Sequence, residues 1–246
     1  MVVRRLSWQV ATVAEIRHET PSADTLVLDV PEWPGHLAGQ HLDVRLTAPD
    51  GYSTERSYSI ASAPSAGRVE ITVQRVEDGE VSPYLAGVLS VGDPLELRGP
   101  VGGYFVWRPA TESSGSEQPV QLIAGGSGIV PLMAMARTRA QVGSDEPFRL
   151  LYSVRSPEEA IYREELPSLG FEVTYAYTRR TPPDWPVPAG RVDAALLAAT
   201  TWSPDDKPRV YVCGPTPFVE VVANVLVDAG HDPASIRTER FGPTGR

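Results

Sequence analysis

The chain has 246 residues, of which 41% are hydrophobic and 22% charged, and its formal net charge at pH 7 is −9. This charge argues against nucleic-acid binding, which needs a clustered basic face. The single cysteine, Cys213, excludes an internal disulfide, a four-thiolate iron–sulfur cluster and a cysteine-based structural zinc site, so any one-electron metal centre would lie on a partner.

The length predicts two domains, because domains usually run to roughly 100–150 residues. The sequence contains no apolar run of transmembrane length and no charged-then-apolar leader near Met1. We therefore expect a soluble, unexported protein of the cytoplasm with no membrane span. Composition says nothing about the oligomeric state.

Short alternating or β-branched runs, separated by Pro, Gly and Asp, fill residues 7–106 and predict an antiparallel β-barrel. The clearest strands are residues 25–30, 41–46, 68–76 and 94–97. Residues 81–89 differ, since a cap-like serine, a proline at the first helical position and apolar spacing near 3.6 predict one short helix.

Residues 108–119 are small, polar and aperiodic, which predicts an interdomain linker or an exposed loop beside one. Beyond them strand and helix patterns alternate, as in a doubly wound parallel α/β sheet: 120–124, 131–140, 148–154, 157–166, 172–178, 193–199, 210–213 and 216–229. Ser156 and Glu159 predict a capping box, and Gly230 can end the last helix. The predicted domains are therefore 1–108 and 119–246.

Arg56, Ser57, Tyr58 and Ser59 place a guanidinium, an aromatic face and two hydroxyls within four residues. Such groups can hold a phosphate, stack on a flat ring and hydrogen-bond its polar edge, as a flavin requires. Strand alternation puts Arg56 and Tyr58 on one face, and Ser57 and Ser59 on the other. An ordinary edge strand with exposed polar groups is the alternative.

Two glycine turns follow predicted strands and offer backbone N–H groups to phosphates. The turn at Gly79 leads into the short helix. Together with Arg56 it makes two phosphate-binding elements, which favours a dinucleotide flavin. The other turn, Gly125-Gly126-Ser127-Gly128, follows the first strand of the second domain; its alternative is a tight structural turn.

Cys213 ends a later strand of that domain, where open α/β sheets bind ligands, although a lone cysteine is usually a buried structural thiol.

Six motifs in this order resemble the ferredoxin-NADP reductase superfamily: Arg56-x-Tyr58-Ser59-x-x-Ser62, Gly79-x-x-Ser82, Gly99-Pro100-x-Gly102, Gly125-Gly126-x-Gly128-x-x-Pro131, Cys213-Gly214-Pro215 and Glu239-x-Phe241. The resemblance is strongest to the flavin and pyridine-nucleotide part of bacterial oxygenase reductases. An iron–sulfur domain, often fused in those proteins, is not among these 246 residues. The resemblance implies an N-terminal flavin-binding Greek-key barrel and a C-terminal NAD(P)-binding domain, with the cofactors meeting in the cleft between them.

On the flavin side, the resemblance implies that Arg56 holds the pyrophosphate, Tyr58 packs on the isoalloxazine and Ser59 hydrogen-bonds near N5. Gly79, Glu80, Val81 and Ser82 would complete the pyrophosphate grip, and Ser57 and Arg75 are further candidate contacts. FAD is the expected flavin, although the related oxygenase reductases include FMN proteins.

On the nucleotide side, the resemblance implies that the phosphates of the nicotinamide dinucleotide lie on Gly126, Ser127, Gly128 and Pro131. Cys213 and Glu239 would sit beside the nicotinamide and flavin N5, so with Ser59 they are the candidate catalytic residues. Gly214 and Pro215 form the adjoining turn, and Phe241 matches an aromatic residue that can cover the flavin ring. Because five residues follow Phe241, the tail could instead lie along the flavin.

Thr178 and Arg179 resemble the family's Ser-Arg pair for a 2′-phosphate, and Arg155 and Arg191 could assist. NADPH is therefore the expected donor, with NADH possible. The predicted function is hydride transfer from NAD(P)H to FAD, followed by single-electron transfer to a separate ferredoxin, flavodoxin or oxygenase component. The alternatives are a reductase of a small acceptor, such as a ferric chelate or a quinone, and a non-catalytic flavin- or nucleotide-binding regulatory subunit.

Overall fold

A computed structural model describes residues 6–110 and 118–242 of the chain. The chain divides into two compact units, one formed by residues 1–107 with 133–138 and the other by residues 108–132 with 139–246. Part of the predicted linker, residues 111–117, lies outside the described residues.

The first unit contains a six-stranded antiparallel sheet in the order β4-β3-β6-β1-β2-β5. Its strands are β1 (Gln9–Thr20), β2 (Ala23–Asp29), β3 (His41–Thr47), β4 (Ser53–Ser59), β5 (Arg68–Gln74) and β6 (Pro94–Val101). An isolated bridge from Ile60 to Ile71 joins the end of β4 to β5, so the two outer strands meet. The predicted N-terminal barrel is confirmed.

Alternation along these strands builds the core of the first unit, because every second side chain points inward. Leu26, Leu42, Ile71 and Leu97 come from four different strands and are fully buried in one cluster. Their neighbours Asp43 and Arg98 instead form an ion pair on the outside, 2.8 Å between Nη2 and Oδ2. On β3 and β6 the alternate, polar side chains therefore face outward.

The short helix of the first unit, α1 (Ser82–Leu85), is briefer than the predicted 81–89. Ser82 does not cap it, because its hydroxyl accepts the Val76 N–H at 3.1 Å and the N-cap position belongs to Val81. Ser82 thus fastens the turn after β5, and the predicted cap role is wrong.

The second unit contains a five-stranded parallel sheet in the order β11-β10-β7-β8-β9. Its strands are β7 (Val120–Gly125), β8 (Phe148–Val154), β9 (Glu172–Tyr177), β10 (Arg209–Pro215) and β11 (Ile236–Phe241). The α-helices in this part of the chain are α2 (Ile129–Val142), of which residues 133–138 belong to the first unit, α3 (Ala194–Thr200) and α4 (Thr216–Asp228). The strand order reverses beside β7, and ligands of such sheets bind at the carboxyl ends of the strands near that reversal. The predicted α/β architecture is confirmed.

One predicted helix is wrong, since residues 157–166 form no α-helix. Two short 3₁₀ turns, Pro157–Glu159 and Leu166–Leu169, take its place. The Ile161 N–H bonds to the buried Tyr152 hydroxyl at 3.2 Å, and Tyr162 adopts a positive φ of 59°, so the helical ladder cannot continue. Ser156 makes no side-chain cap bond, and the predicted capping box is absent from this turn.

Local sequence predicted one of two helix boundaries and missed the other by two residues. Gly230 follows α4 with φ of +99°, and its neighbour His231 donates its N–H to the Leu226 carbonyl at 3.0 Å, so the predicted termination of α4 is confirmed. Helix α2 begins at Ile129, two residues before the predicted start, after a 3₁₀ turn at Gly126–Gly128.

Within residues 6–110 and 118–242, no helix combines the length and apolar character needed to cross a membrane.

Candidate functional site

Arg56 lies on β4 with its guanidinium toward the turn that precedes α1. It pairs with Glu80 at 3.3 Å (Nη2 to Oε2) and donates to the Thr54 hydroxyl at 3.1 Å and the Glu55 carbonyl at 2.7 Å. The Arg56 and Glu80 side chains are 53% and 56% exposed. The fold thus brings together the two predicted phosphate grips, which are 24 residues apart in the chain.

The residues after Arg56 alternate as predicted. The Ser57 hydroxyl points to the opposite face and donates to Asp43 at 2.7 Å. Tyr58 packs against the core cluster of the first unit, and its burial, partly offset by Arg56, raises the pKa of its phenol to about 12. Ser59, which ends β4, is buried. Tyr58 is therefore a neutral, half-buried aromatic group at physiological pH.

The turn from Gly79 to Ser82 is tight and partly buried. A Cβ at Gly79 would lie 3.0 Å from Ser82 Oγ and 3.1 Å from the Val76 carbonyl oxygen, so a side chain there would disturb the turn. Val81 is buried in the core, whereas Arg75 is exposed at the end of β5. Within this turn, Glu80 presents the side chain that reaches Arg56.

The glycine turn between β7 and α2 has two different faces. Gly126 adopts φ of +55° and has open space where a Cβ would point, whereas a Cβ on Gly128 would overlap the Cys213 carbonyl oxygen and carbon. Gly128 therefore permits close packing of the turn on β10, and Gly126 presents bare backbone outward. No side chain caps α2, and its first turn contains no acidic residue.

Cys213 and Glu239 are brought together, since β10 and β11 pair these two residues in register. Cys213 is fully buried, and burial raises the pKa of its thiol well above the usual range, with the Glu239 carboxylate adding to the effect. The thiol is thus neutral at physiological pH. In the same ladder, Gly214 pairs with Arg240 and Pro215 with Phe241, so Phe241 lies at the carboxyl end of the sheet.

Two other predicted nucleotide contacts lie near this edge. Ser127 is the middle residue of the glycine turn, and Pro131 is buried in the first turn of α2, where its missing N–H costs no helical hydrogen bond. Residues 243–246 lie outside the described residues, so the predicted placement of the tail along a flavin cannot be compared with the fold.

The four residues predicted to select a 2′-phosphate follow β8 and β9 or lie in the loop beyond. Thr178 and Arg179 donate backbone N–H groups to Val154 and Arg155, which holds the two strand ends together. Arg155 approaches Glu159 at 3.8 Å. Among the residues that the structure describes, Arg179 and Arg191 enter no side-chain ion pair, and both are exposed.

Sequence reasoning missed the acidic partners at this edge. Arg180 pairs with Glu158 at 2.7 Å, and hydrogen bonds from the Ser156 side chain and its own backbone, together with Arg180, lower the pKa of Glu158 to about 2. The signal was present as two glutamates directly after Pro157, but the predicted helix would have placed them differently. Arg155 and Arg180 therefore lie beside carboxylates, whereas Arg179 and Arg191 form no ion pair with a described side chain.

Both sets of residues fit the groups that the sequence predicts. In the first unit, a guanidinium and an aromatic ring lie on one face of β4, with Ser59 at its end, which is a donor set suited to a phosphate and a flat polar ring. In the second unit, an uncapped 14-residue helix begins at a glycine turn with one face open, which suits a pyrophosphate.

Comparison with known proteins decides the family. Residues 10–106 match the oxidoreductase FAD-binding domain, and residues 122–224 match the oxidoreductase NAD-binding domain. The chain belongs to the ferredoxin-NADP reductase superfamily. Family membership accounts for the order of the two units and assigns FAD to the first and a nicotinamide dinucleotide to the second.

Curated relatives of this chain include a monooxygenase reductase subunit and a flavohemoprotein. The chain is 30% identical over 220 residues to the glycine betaine monooxygenase reductase subunit of Chromohalobacter salexigens, covering 86% of this chain and 56% of that one. It is 32% identical to the flavohemoprotein of Deinococcus radiodurans, covering 86% and 53%. The chain therefore spans about half the length of these curated relatives.

A solved structure matches over nearly the full length of both chains. The flavohem-like FAD/NAD binding domain of nitric oxide dioxygenase from Vibrio cholerae is 28% identical, with a TM-score of 0.84 and coverage of 96% of this chain and 99% of that chain. This likeness agrees with the two units described above.

Proposed function

We propose that the protein is an NAD(P)H-dependent FAD reductase that passes electrons one at a time to a separate acceptor protein. The observation that carries the proposal is the packing of Gly128 on the Cys213 carbonyl. The glycine turn, with its open face at Gly126, therefore lies next to Cys213, which pairs in register with Glu239. The family assignment supports the same reading. Bound flavin supplies hydride acceptance and single-electron release.

On the flavin side, Arg56 binds the pyrophosphate through its charge and its planar fork of donors. Glu80 keeps this guanidinium near the Gly79 turn before the cofactor arrives, and phosphate replaces the carboxylate as its partner. Tyr58 offers a neutral aromatic face, and Ser59, buried at the end of the strand, offers a hydroxyl to the polar edge of the ring.

On the nucleotide side, Gly126 and Ser127 hold the pyrophosphate through backbone N–H groups, aided by the α2 macrodipole. Cys213 contributes a compact, uncharged side chain, so it excludes water and orients the nicotinamide without competing as a nucleophile. Glu239, its neighbour in register, is the candidate for holding a proton near the reacting atoms.

We propose NADPH as the preferred donor, with NADH also accepted. The support is that Arg179 and Arg191 are exposed and enter no ion pair with a described side chain, so both can meet a 2′-phosphate. Arg155 is less available because Glu159 lies 3.8 Å from it. Since NAD(P)H is the donor, we place the reaction in the cytoplasm.

The proposed acceptor is an iron–sulfur protein, a flavodoxin or an oxygenase component. Its support is that relatives of this chain include the glycine betaine monooxygenase reductase subunit and the toluate 1,2-dioxygenase electron transfer component of Pseudomonas putida. These 246 residues contain one cysteine and so no ligand set for a four-thiolate cluster, and we propose that an iron–sulfur centre that receives the electrons lies outside them.

The test is the visible spectrum of the purified protein, followed by anaerobic stopped-flow mixing with NADPH and with NADH. We expect a flavin spectrum that bleaches rapidly, faster with NADPH at low donor concentration. A bound flavin that neither nucleotide reduces would overturn the reductase proposal and favour a regulatory subunit. Multiple turnovers with a ferric chelate, together with no electron transfer to ferredoxin or flavodoxin, would instead assign a small acceptor.

A further inference from the structure

A buried histidine outside the predicted cofactor contacts is bonded to the end of the flavin-binding motif. His36 is 7% exposed, and Trp33 beside it is 4% exposed. The indole Nε1–H of Trp33 donates to His36 Nδ1 at 3.1 Å, and His36 Nε2 lies 3.0 Å from the Ser62 carbonyl oxygen. Ser62 is the last residue of the segment 56–62 that carries Arg56, Tyr58 and Ser59.

The two partners fix the protonation of His36. An indole N–H can only donate, so Nδ1 must accept and cannot carry a proton. A carbonyl can only accept, so Nε2 must carry the proton and donate to Ser62. The imidazole is therefore neutral in one tautomer, and a second proton on Nδ1 would face the Trp33 donor.

The other bonds at this end of the segment come from backbone N–H groups, one hydroxyl and the Arg137 guanidinium, which donates to the Ala61 carbonyl at 2.9 Å. Arginine side chains are not deprotonated in proteins, and the remaining groups do not titrate. Ile60 N–H donates to the Gln40 carbonyl at 3.0 Å, and Ala61 N–H donates to the Glu70 carbonyl at 2.8 Å. The Ser62 hydroxyl accepts the Glu70 N–H at 3.1 Å. His36 is thus the titratable side chain in this set of bonds.

We propose that His36 is a positioning residue for the flavin: its bond to the Ser62 carbonyl holds segment 56–62 in the flavin-binding conformation only while the imidazole is neutral. This inference rests on the proposed function, which assigns flavin binding to segment 56–62. It adds a residue from a different loop to the site and makes flavin retention sensitive to acid.

The charged groups around His36 do not set the protonation state of its imidazole. On its own loop Glu32 is exposed, and on β5 the Glu70 carboxylate pairs with Arg17 at 2.6 Å and with Arg137 at 3.0 Å. His41, at the start of β3, is itself buried enough that its pKa is lowered. Burial lowers the pKa of His36, partly offset by the Ser62 carbonyl, and no charged side chain contributes.

The sign of the pH effect follows from that direction. The folded pKa of His36 lies below the ordinary value of 6.5, so its contribution is complete above pH 6.5 and is lost as the pH falls from 6.5 through the folded pKa. Acid should therefore weaken flavin binding before it unfolds the barrel.

The experiment measures the FAD dissociation constant at pH 7.5 and 5.5 for the wild type, His36→Gln, His36→Phe and His18→Gln. Glutamine can accept from Trp33 and donate to Ser62 but does not titrate, whereas phenylalanine can do neither. His18, on β1, has an 84% exposed imidazole and is the matched histidine control. In the apoprotein, ¹⁵N imidazole NMR reads the His36 tautomer, and circular dichroism confirms folding at each pH.

We expect wild type and His18→Gln to bind FAD more weakly at pH 5.5, by no more than about tenfold because the pKa of His36 lies below 6.5. We expect His36→Gln to bind equally at both pH values, and His36→Phe to bind about tenfold more weakly at both. Acid loss that persists in His36→Gln, an Nδ1–H tautomer, or wild-type affinity in His36→Phe would overturn the inference. A wild type that binds no flavin at either pH, although NMR shows the Nε2–H tautomer, would overturn the proposed function and this inference with it.

Discussion

Arg56 is exposed, yet its guanidinium makes three contacts that aim it at the turn before α1. Replacing Arg56 with alanine should raise the FAD dissociation constant about tenfold or more, because charge-assisted hydrogen bonds contribute about 1.5–3 kcal/mol. Flavin fluorescence after ultrafiltration measures the change. Arg68→Ala, which removes an exposed ion pair to Asp29 on the same sheet, is the control and should bind normally.

Cys213 is the single thiol in the chain, so its accessibility can be measured without background. Burial holds its pKa well above the usual range, and the folded protein at pH 8 should therefore resist alkylation by iodoacetamide. Mass spectrometry should find one modified site after denaturation and none before it. Rapid alkylation of the folded protein would contradict the buried, neutral thiol.

Arg179 stands after β9 without an acidic partner among the described residues, in contrast to Arg180, which is held by Glu158. Arg179→Ala should raise the KM for NADPH about tenfold through loss of a charge-assisted phosphate contact, and leave the KM for NADH unchanged. Steady-state reduction of ferricyanide with each donor gives both constants. Equal increases for NADH and NADPH would show that Arg179 does not recognise the 2′-phosphate.

At the scale of elements, the turn between β7 and α2 separates close packing from backbone exposure. Gly128→Ala forces a Cβ into the Cys213 carbonyl, so the turn must move and the melting temperature should fall further than that of Gly126→Ala. Gly126→Ala meets open space, and its cost is the left-handed backbone, about 1–2 kcal/mol. Thermal unfolding compares the two variants, and equal melting temperatures would contradict the tight contact at Gly128.

At the scale of the whole molecule, a net charge of −9 opposes docking of an acidic acceptor. The rate at which the reduced protein transfers electrons to an acidic ferredoxin should therefore rise as ionic strength increases from 10 to 150 mM, where the screening length falls from about 30 to 8 Å. Stopped-flow spectroscopy of the prereduced protein measures this step separately from hydride transfer. A rate that falls with salt would instead indicate a local basic docking patch.

Much of this architecture could be predicted from local patterns. Period-two alternation defined the strands of the first unit, and the regular exchange of strand and helix patterns defined the parallel sheet of the second, because burial selects side chains by direction. The termination of α4 at Gly230 was predictable for a similar reason, since a positive φ favours glycine. The absence of a helix at 157–166 was not predictable, because the Ile161 N–H of this segment donates to the buried hydroxyl of Tyr152 on β8 and not to a helical carbonyl.

By itself, the sequence determined the two kinds of domain, their order and the residues from which the candidate sites are drawn, since these depend on residue type and short-range spacing. Only the tertiary structure decided which residues meet: Arg56 with Glu80, Gly128 with Cys213, and Ser62 with His36, a residue that no sequence pattern had marked. Each pair is separated by 24 or more residues, and its contact depends on strand register and loop packing, which no local pattern specifies.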